Sequence, residues 1–241
     1  MSLDRRDFLG LGVAVAAEAA MAPGLRLIEL VQARSPEEAA SVLQRWGLLI
    51  DTAQCTDCEV CVTACHEENG VTGHGRPATD AQWIRKVGLR DKSTGHVKTL
   101  PLMCQHCEHP PCVDVCPTGA SFKRADGIVL VDKHTCIGCR YCVMACPYGA
   151  RSFIHETVTG QKADVPRGKG TVESCTLCVH RVDRGETPAC VEACNKDGGK
   201  AMVFGDMNDR AGELHQRLRR ERSSALRPQL ALNTAVRYQG L

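Results

Sequence analysis

The sequence predicts an α+β fold of two related modules with pseudo-twofold symmetry, one inserted in the other. Three observations predict it. Sixteen cysteines in 241 residues fall into four runs of four, with none left over. The two middle runs share an ending that the outer two lack. Rings are scarce, with 2 Trp, 3 Tyr and 4 Phe. Large rings normally supply much of a core's buried area, so something other than side chains fills part of this interior.

Taken in order, the first run is Cys55-x2-Cys58-x2-Cys61-x3-Cys65. The second is Cys104-x2-Cys107-x4-Cys112-x3-Cys116, and the third is Cys136-x2-Cys139-x2-Cys142-x3-Cys146. The fourth, Cys175-x2-Cys178-x11-Cys190-x3-Cys194, stretches the middle gap and keeps both ends. Three cysteines at this spacing wrap a loop around the corners of one iron–sulfur cube. The fourth sits about a helical turn further on and points at a different cube, as in two-cluster ferredoxins with the C-x2-C-x2-C-x3-C-P run. Each segment from third to fourth cysteine is a short helix candidate. Its free N-terminal amides suit a negatively charged cluster.

The endings decide the pairing. Runs two and three close on Cys-Pro, at Pro117 and Pro147, and continue as "CPTGA" and "CPYGA". Between them "DGIVLVDKHT" reads as a turn and an alternating strand. Residues 100–150 therefore form a complete ferredoxin-like module with two [4Fe–4S] clusters. Runs one and four, followed by His66 and Asn195, pair across it as a second module over 46–99 and 151–206. The expected ligand sets are reciprocal. Cys55, Cys58 and Cys61 go with Cys194 (cluster 1), and Cys175, Cys178 and Cys190 with Cys65 (cluster 2). Cys104, Cys107 and Cys112 go with Cys146 (cluster 3), and Cys136, Cys139 and Cys142 with Cys116 (cluster 4). Four [4Fe–4S] clusters, with iron held by all sixteen cysteines, are the expected cofactors.

Among the linking segments, 66–103 supplies strands through "DAQWIRKVGL" and "HVKTLPLM". The segment 147–174, with Gly160, Pro166, Gly168 and Gly170, reads as a connection lying on the surface. Residues 207–241 read as a polar helix followed by an extended tail that lies on a partner. The basic run Arg217-Leu-Arg-Arg-Glu-Arg222 is a solvated helix face, with a docking surface as the other reading. At the other end, 1–33 resembles a twin-arginine export signal. Arg5-Arg6 precede the small apolar run "LGLGVAVAAEAAMAPGL", although Asp4 and Gly10 depart from the usual Ser and Lys. Cleavage sites follow Ala22 or Ala33. Glu18 interrupts the run, which is too short and polar for a membrane span; an ordinary exposed helix is the alternative.

Other chemistries fit less well. A net charge of +2 gives no reason to expect nucleic acid. Zinc has no use for a third thiolate at x2 in the same run. Disulfides between such close neighbours close tiny loops and gain little, and a twin-arginine route suits a protein folded around its cofactor before export. No C-x-x-C-H marks a covalent haem. A Rieske centre needs two cysteines replaced by histidine. "RGKG" at 167–170 lacks phosphate-loop spacing. His106, inside "CQHC", either packs or tunes a cluster through a hydrogen bond. No nucleophile–base pair forms a recognisable motif. A row of clusters serves chiefly to carry electrons over distance, so the chain reads as an electron-transfer subunit and not an enzyme in its own right.

The four runs, their order and their nesting resemble the four-cluster ferredoxin subunits of membrane-attached respiratory complexes. Relatives of that kind serve dimethyl-sulfoxide, polysulfide and tetrathionate reductases. The likeness covers roughly 46–206 and is most specific in "CQHCEHPPCVDVCPTGASFKRADGIVLVDKHTCIGCRYCVMACPYGARSF". Within the family, "RWGLLIDTAQC", "CHEENG", "AQWIRKV", "RGKGTVESCTLCVHR", "AMVFGD" and "LNTAVRY" look most like the DsrO group, periplasmic subunits of a membrane complex associated with dissimilatory sulfite reductase. The resemblance implies a periplasmic subunit attached to the membrane through its partner, a quinone-interacting integral membrane protein. It also implies a periplasmic multihaem cytochrome c, two further cytoplasm-facing subunits, and a role in dissimilatory sulfur metabolism. A β-subunit of a molybdopterin reductase would share nearly every motif. A structural zinc scaffold is the remote alternative. Elemental analysis of anaerobically purified chain separates the last: a brown protein with about sixteen irons, four per cube, is expected, against a colourless one with zinc and no sulfide.

Overall fold

The computed structural model describes residues 40–76 and 78–241, and the expected export signal over 1–33 lies outside them. Leu48, Leu49 and Ile50, consecutive and buried, belong to strand β1 (Trp46–Asp51). An unbroken apolar run suits a strand covered on both faces. β1 is an inner strand of a four-stranded sheet ordered β8-β1-β10-β9, with β8 at Met202–Asp206, β9 at Ser223–Ser224 and β10 at Val236–Gln239. It runs antiparallel to β8, with Leu48 opposite Phe204, and parallel to β10, with Ile50 opposite Tyr238. Trp46 stacks on Phe204 with ring centroids 5.2 Å apart. The segment before run one is thereby joined to the segment after run four.

The helices pair in the same way. α1 (Val60–Asn69) starts inside run one and stops at Gly70, whose φ of 63° gives the left-handed turn that ends many helices. It packs against α5 (Ala189–Asp197), which carries the last two cysteines of run four. α2 (Pro111–Asp114) of run two packs against α3 (Tyr141–Ala145) of run three. Pro111 opens α2, where a missing N–H is harmless. A single turn, α4 (Val179–Val182), follows the first half of run four. α6 (Glu213–Arg220) packs on β8 through its buried Leu214, leaving Arg219 and Arg220 in solvent, the solvated face the sequence suggests.

Three two-stranded ribbons complete the frame. β2 (Ile84–Arg90) and β3 (Val97–Met103) form an antiparallel hairpin in the segment expected to hold strands. Its base is buried through Ile84 and Met103, and its tip is exposed. β4 (Ser121–Lys123) pairs with β5 (Val129–Val131), and β6 (Ser152–Phe153) with β7 (Val172–Glu173). Among the described residues no helix is long and apolar enough to cross a membrane.

Two sequence expectations need correction. The tail does not lie free for a partner: Val236 and Tyr238 are buried in the central sheet, and the Tyr238 hydroxyl donates to the Pro101 carbonyl at 3.1 Å. Four strand residues are too few for their alternation to stand out in a polar tail. The segment 147–174 is on the surface only in its middle. Arg151, Ile154, Arg167, Thr171, Val172 and Glu173 are all buried, because β6 and β7 tie its two ends together.

Arg167 and Glu173 form a buried ion pair at 2.6 Å, with side chains 4% and 0% exposed. The guanidinium grips the carboxylate through two nitrogens and also donates to the Gly70 carbonyl, fixing the end of α1. Removing one partner strands a buried charge, at a general cost of about 3–5 kcal/mol. Glu173→Gln is expected to lower the urea midpoint of the cluster-loaded chain, followed by circular dichroism, by that order of stability. An unchanged midpoint would contradict the packing described.

Candidate iron–sulfur sites

Each cysteine run folds as a loop that delivers thiols to a helix start. The loops need unusual backbone at a few points: Asp57, Gly138, Arg140, Leu177 and Cys178 all have positive φ. Gly138 is the most constrained. Its φ is 70°, and a Cβ there would collide with the Gly170 carbonyl oxygen and press on the Phe153 ring. This close approach binds the third run to β6 and β7.

Fifteen of the thiols fall into four neighbourhoods. Cys61 has its pKa pushed up to about 12, first by burial and then by the charges of Cys194, Cys58 and Cys55. Cys65 is raised well above the ordinary thiol value by burial, then by Cys175, Cys190 and Cys178. Cys107 rises to about 12 through burial and then Cys112 and Cys146. Cys142 is raised chiefly by burial, with Cys136 and Cys116 adding to it against the opposing Arg151. Cys104, Cys107, Cys112 and Cys146 line one small cavity together with Pro111, Val129 and Arg151. Cys139 stands exposed in the third run.

These neighbourhoods stand in a row. Cys190 of the second feels Cys61 of the first. Cys175 of the second feels Cys104 of the third, and Cys112 of the third feels Cys142 of the fourth. The thiols that reach toward solvent are Cys55 and Cys58 of the first, Cys146 of the third, Cys116 and Cys136 of the fourth, and the exposed Cys139 of the third run.

Polar hydrogens converge on the sulfurs. The amides of Ser121, Ala150, Val172 and Leu177 donate to Cys116, Cys146, Cys136 and Cys175 at 3.3, 3.4, 3.5 and 3.4 Å. The first amides of α1 and α5, from Val60 and Ala189, point at Cys58 and Cys178. The buried Asn69 amide, also held by the Cys65 carbonyl at 2.8 Å, reaches Cys65 and Cys178 sulfurs at 3.7 and 3.9 Å. Asn69 lies outside the cysteine pattern, and its only sequence signal is a polar residue one helical turn after Cys65. His106 is buried, its Nδ1 accepts the Val129 amide at 3.1 Å, and Nε2 has no partner among the described residues. Burial, then the Arg151 charge, drops its pKa to about 3, so the ring is neutral.

The donor set fits iron–sulfur clusters. Buried thiols crowded in fours repel one another as thiolates, and only a cationic core offsets that repulsion. The amide hydrogens meet the remaining need of sulfur for donors. Among the described residues no group of three or more His, Cys, Asp or Glu that could hold a metal ion is found.

A fold of paired short helices and ribbons enclosing four thiol groups defines a class: iron–sulfur electron carriers with two clusters per module. Two matches to the 4Fe-4S dicluster domain span residues 54–120 and 95–207. The chain is 43% identical to the iron–sulfur subunit 1 of an Hdr-like menaquinol oxidoreductase from Archaeoglobus fulgidus, over 99% of this chain and 98% of that one. It is 37% identical to a subunit of tetrathionate reductase from Salmonella typhimurium, over 100% and 90%. Against a subunit of sulfite dehydrogenase from Allochromatium vinosum the identity is 38%, over 80% and 81%. The chain belongs to this family of iron–sulfur electron-transfer subunits of oxidoreductase complexes, with two overlapping dicluster domains in a mixed α+β fold and room for up to four [4Fe–4S] clusters. Its members carry electrons and are not enzymes themselves. Gly138→Ala is expected to cost one cluster, about four irons of sixteen by elemental analysis, while the other sites keep theirs; full iron content would contradict the constraint.

Proposed function

We propose that the chain relays electrons between a quinone-interacting integral membrane subunit and periplasmic redox partners, a multihaem cytochrome c among them, in dissimilatory sulfur metabolism. In this reading it is a DsrO-type subunit, exported folded by the twin-arginine route and held at the membrane through its partner. The ligands are those of the reciprocal scheme. Cluster 1 has Cys55, Cys58, Cys61 and Cys194; cluster 2 has Cys175, Cys178, Cys190 and Cys65. Cluster 3 has Cys104, Cys107, Cys112 and Cys146; cluster 4 has Cys136, Cys139, Cys142 and Cys116. The module over 100–150 is inserted in the one over 46–99 and 151–206, and the two are related by pseudo-twofold symmetry.

One observation carries the ligand scheme: the thiols that act on Cys61, Cys65, Cys107 and Cys142 come in each case from the partner run as well as their own. The pairing of α1 with α5 and α2 with α3 supports the nesting. A row of four sites with accessible thiols at both ends suits a relay whose donor and acceptor dock at opposite ends. The sulfur link is supported by names among the relatives, tetrathionate reductase and sulfite dehydrogenase; the membrane quinol link by the menaquinol oxidoreductase relative.

Those same names keep a second reading open, a β-subunit docked on a molybdopterin-containing reductase. The inventory of co-purifying subunits separates them. An integral membrane subunit and a multihaem cytochrome c are expected after mild solubilisation; a molybdopterin chain in stoichiometric amount would overturn the DsrO-type reading.

A further inference from the structure

Arg151 follows directly on the "CPYGA" that ends run three. Its side chain points inward, and the residue is 4% exposed. Both terminal nitrogens, Nη1 and Nη2, are buried without a hydrogen-bond partner among the described residues. A guanidinium cannot shed its proton to escape such a place, so its charge needs compensation from something other than a carboxylate. What it faces is sulfur. It lines the cavity enclosed by Cys104, Cys107, Cys112 and Cys146, and on its other side it contacts Cys142.

We propose that Arg151 is a shared tuning group for clusters 3 and 4: one buried guanidinium donates N–H to sulfur on both sides and raises the two reduction potentials together. The inference rests on the ligand assignment above.

The physical consequence is direct. Each cluster gains one negative charge on reduction, and a fixed positive charge nearby favours that state. Burial removes most of the screening that salt would impose. N–H···S bonds and local charge are the protein's established means of setting such potentials. Because the one cation serves both sites, both potentials move together and the difference between them changes little. A planar fork with donors on two edges can address two sites at once, whereas a lysine ammonium is a point charge. The position that matches Arg151 after "CPTGA" is Ser121, which is uncharged, so the repeat supplies this cation once and not twice.

The test uses the full chain, loaded with its clusters and purified anaerobically, as wild type, Arg151→Gln and Arg151→Lys. Iron and sulfide are assayed first, and a redox titration is then followed by electron paramagnetic resonance. In Arg151→Gln with full iron, the reduced-to-oxidised ratio of two clusters at fixed potential is expected to fall about tenfold or more, equivalent to about 59 mV or more. The other two clusters keep theirs, and Arg151→Lys recovers most of the loss. Four unchanged potentials, or four equal shifts, in iron-replete Arg151→Gln would overturn the inference alone. If Arg151→Gln loses iron, Arg151→Lys decides. Full iron with potentials near wild type supports a role for the charge, while iron loss or lowered potentials in it as well overturns that role. Wild type without iron or sulfide would overturn the ligand assignment, and this inference with it.

Discussion

Crowding sixteen thiols into a chain of 241 residues creates an electrostatic problem that the rest of the structure answers. A buried thiol resists ionising, and a buried thiol beside three others resists more strongly, which is why Cys61, Cys104 and Cys107 are all pushed up to about 12. Iron–sulfur cores resolve the conflict, since their cations accept the thiolates and their bulk takes the place that aromatic rings hold elsewhere. Metal binding and folding are in such a case one process, because the site does not exist in the unfolded chain.

The backbone is arranged around that necessity. Loops with left-handed residues turn thiols inward, short helices begin inside the runs and carry their later thiols, and amides point at sulfur instead of at carbonyl oxygen. The larger sheet joins the two ends of the described chain, ribbon β4–β5 lies between the second and third runs, and ribbon β6–β7 lies between the third and fourth. Polar residues buried between the sites, Asn69, Gln105, His106 and Arg151, are placed against sulfur or against the loops that carry it.

This distribution suits a carrier. The four thiol groups succeed one another without a gap, and accessible thiols occur at the two ends of the row. Charge inside the protein is not uniform along it: a buried arginine stands between the third and fourth groups, and a neutral amide, Asn69, bridges Cys65 and Cys178 of the second. The chain can thus grade its sites with single residues while keeping the thiol scaffold constant.

Much of this was legible in the linear sequence because the cysteines of a run are close together in the chain. Three cysteines two residues apart must lie on one loop, a proline after the fourth must stop its helix, and two matching endings mark a repeat. Those are short-range facts of covalent geometry. The strands around "DAQWIRKVGL" and "HVKTLPLM" fall in the segment where the sequence placed strands. What tertiary structure decided depends on distant partners. β10 joins the sheet because β1 offers it an edge beside Ile50, nearly two hundred residues away. Glu173 is buried because Arg167 turns in to meet it, and Arg151 because sulfur from two separate runs surrounds it. No local pattern distinguishes these charged residues from surface ones, since their burial is set by what packs against them.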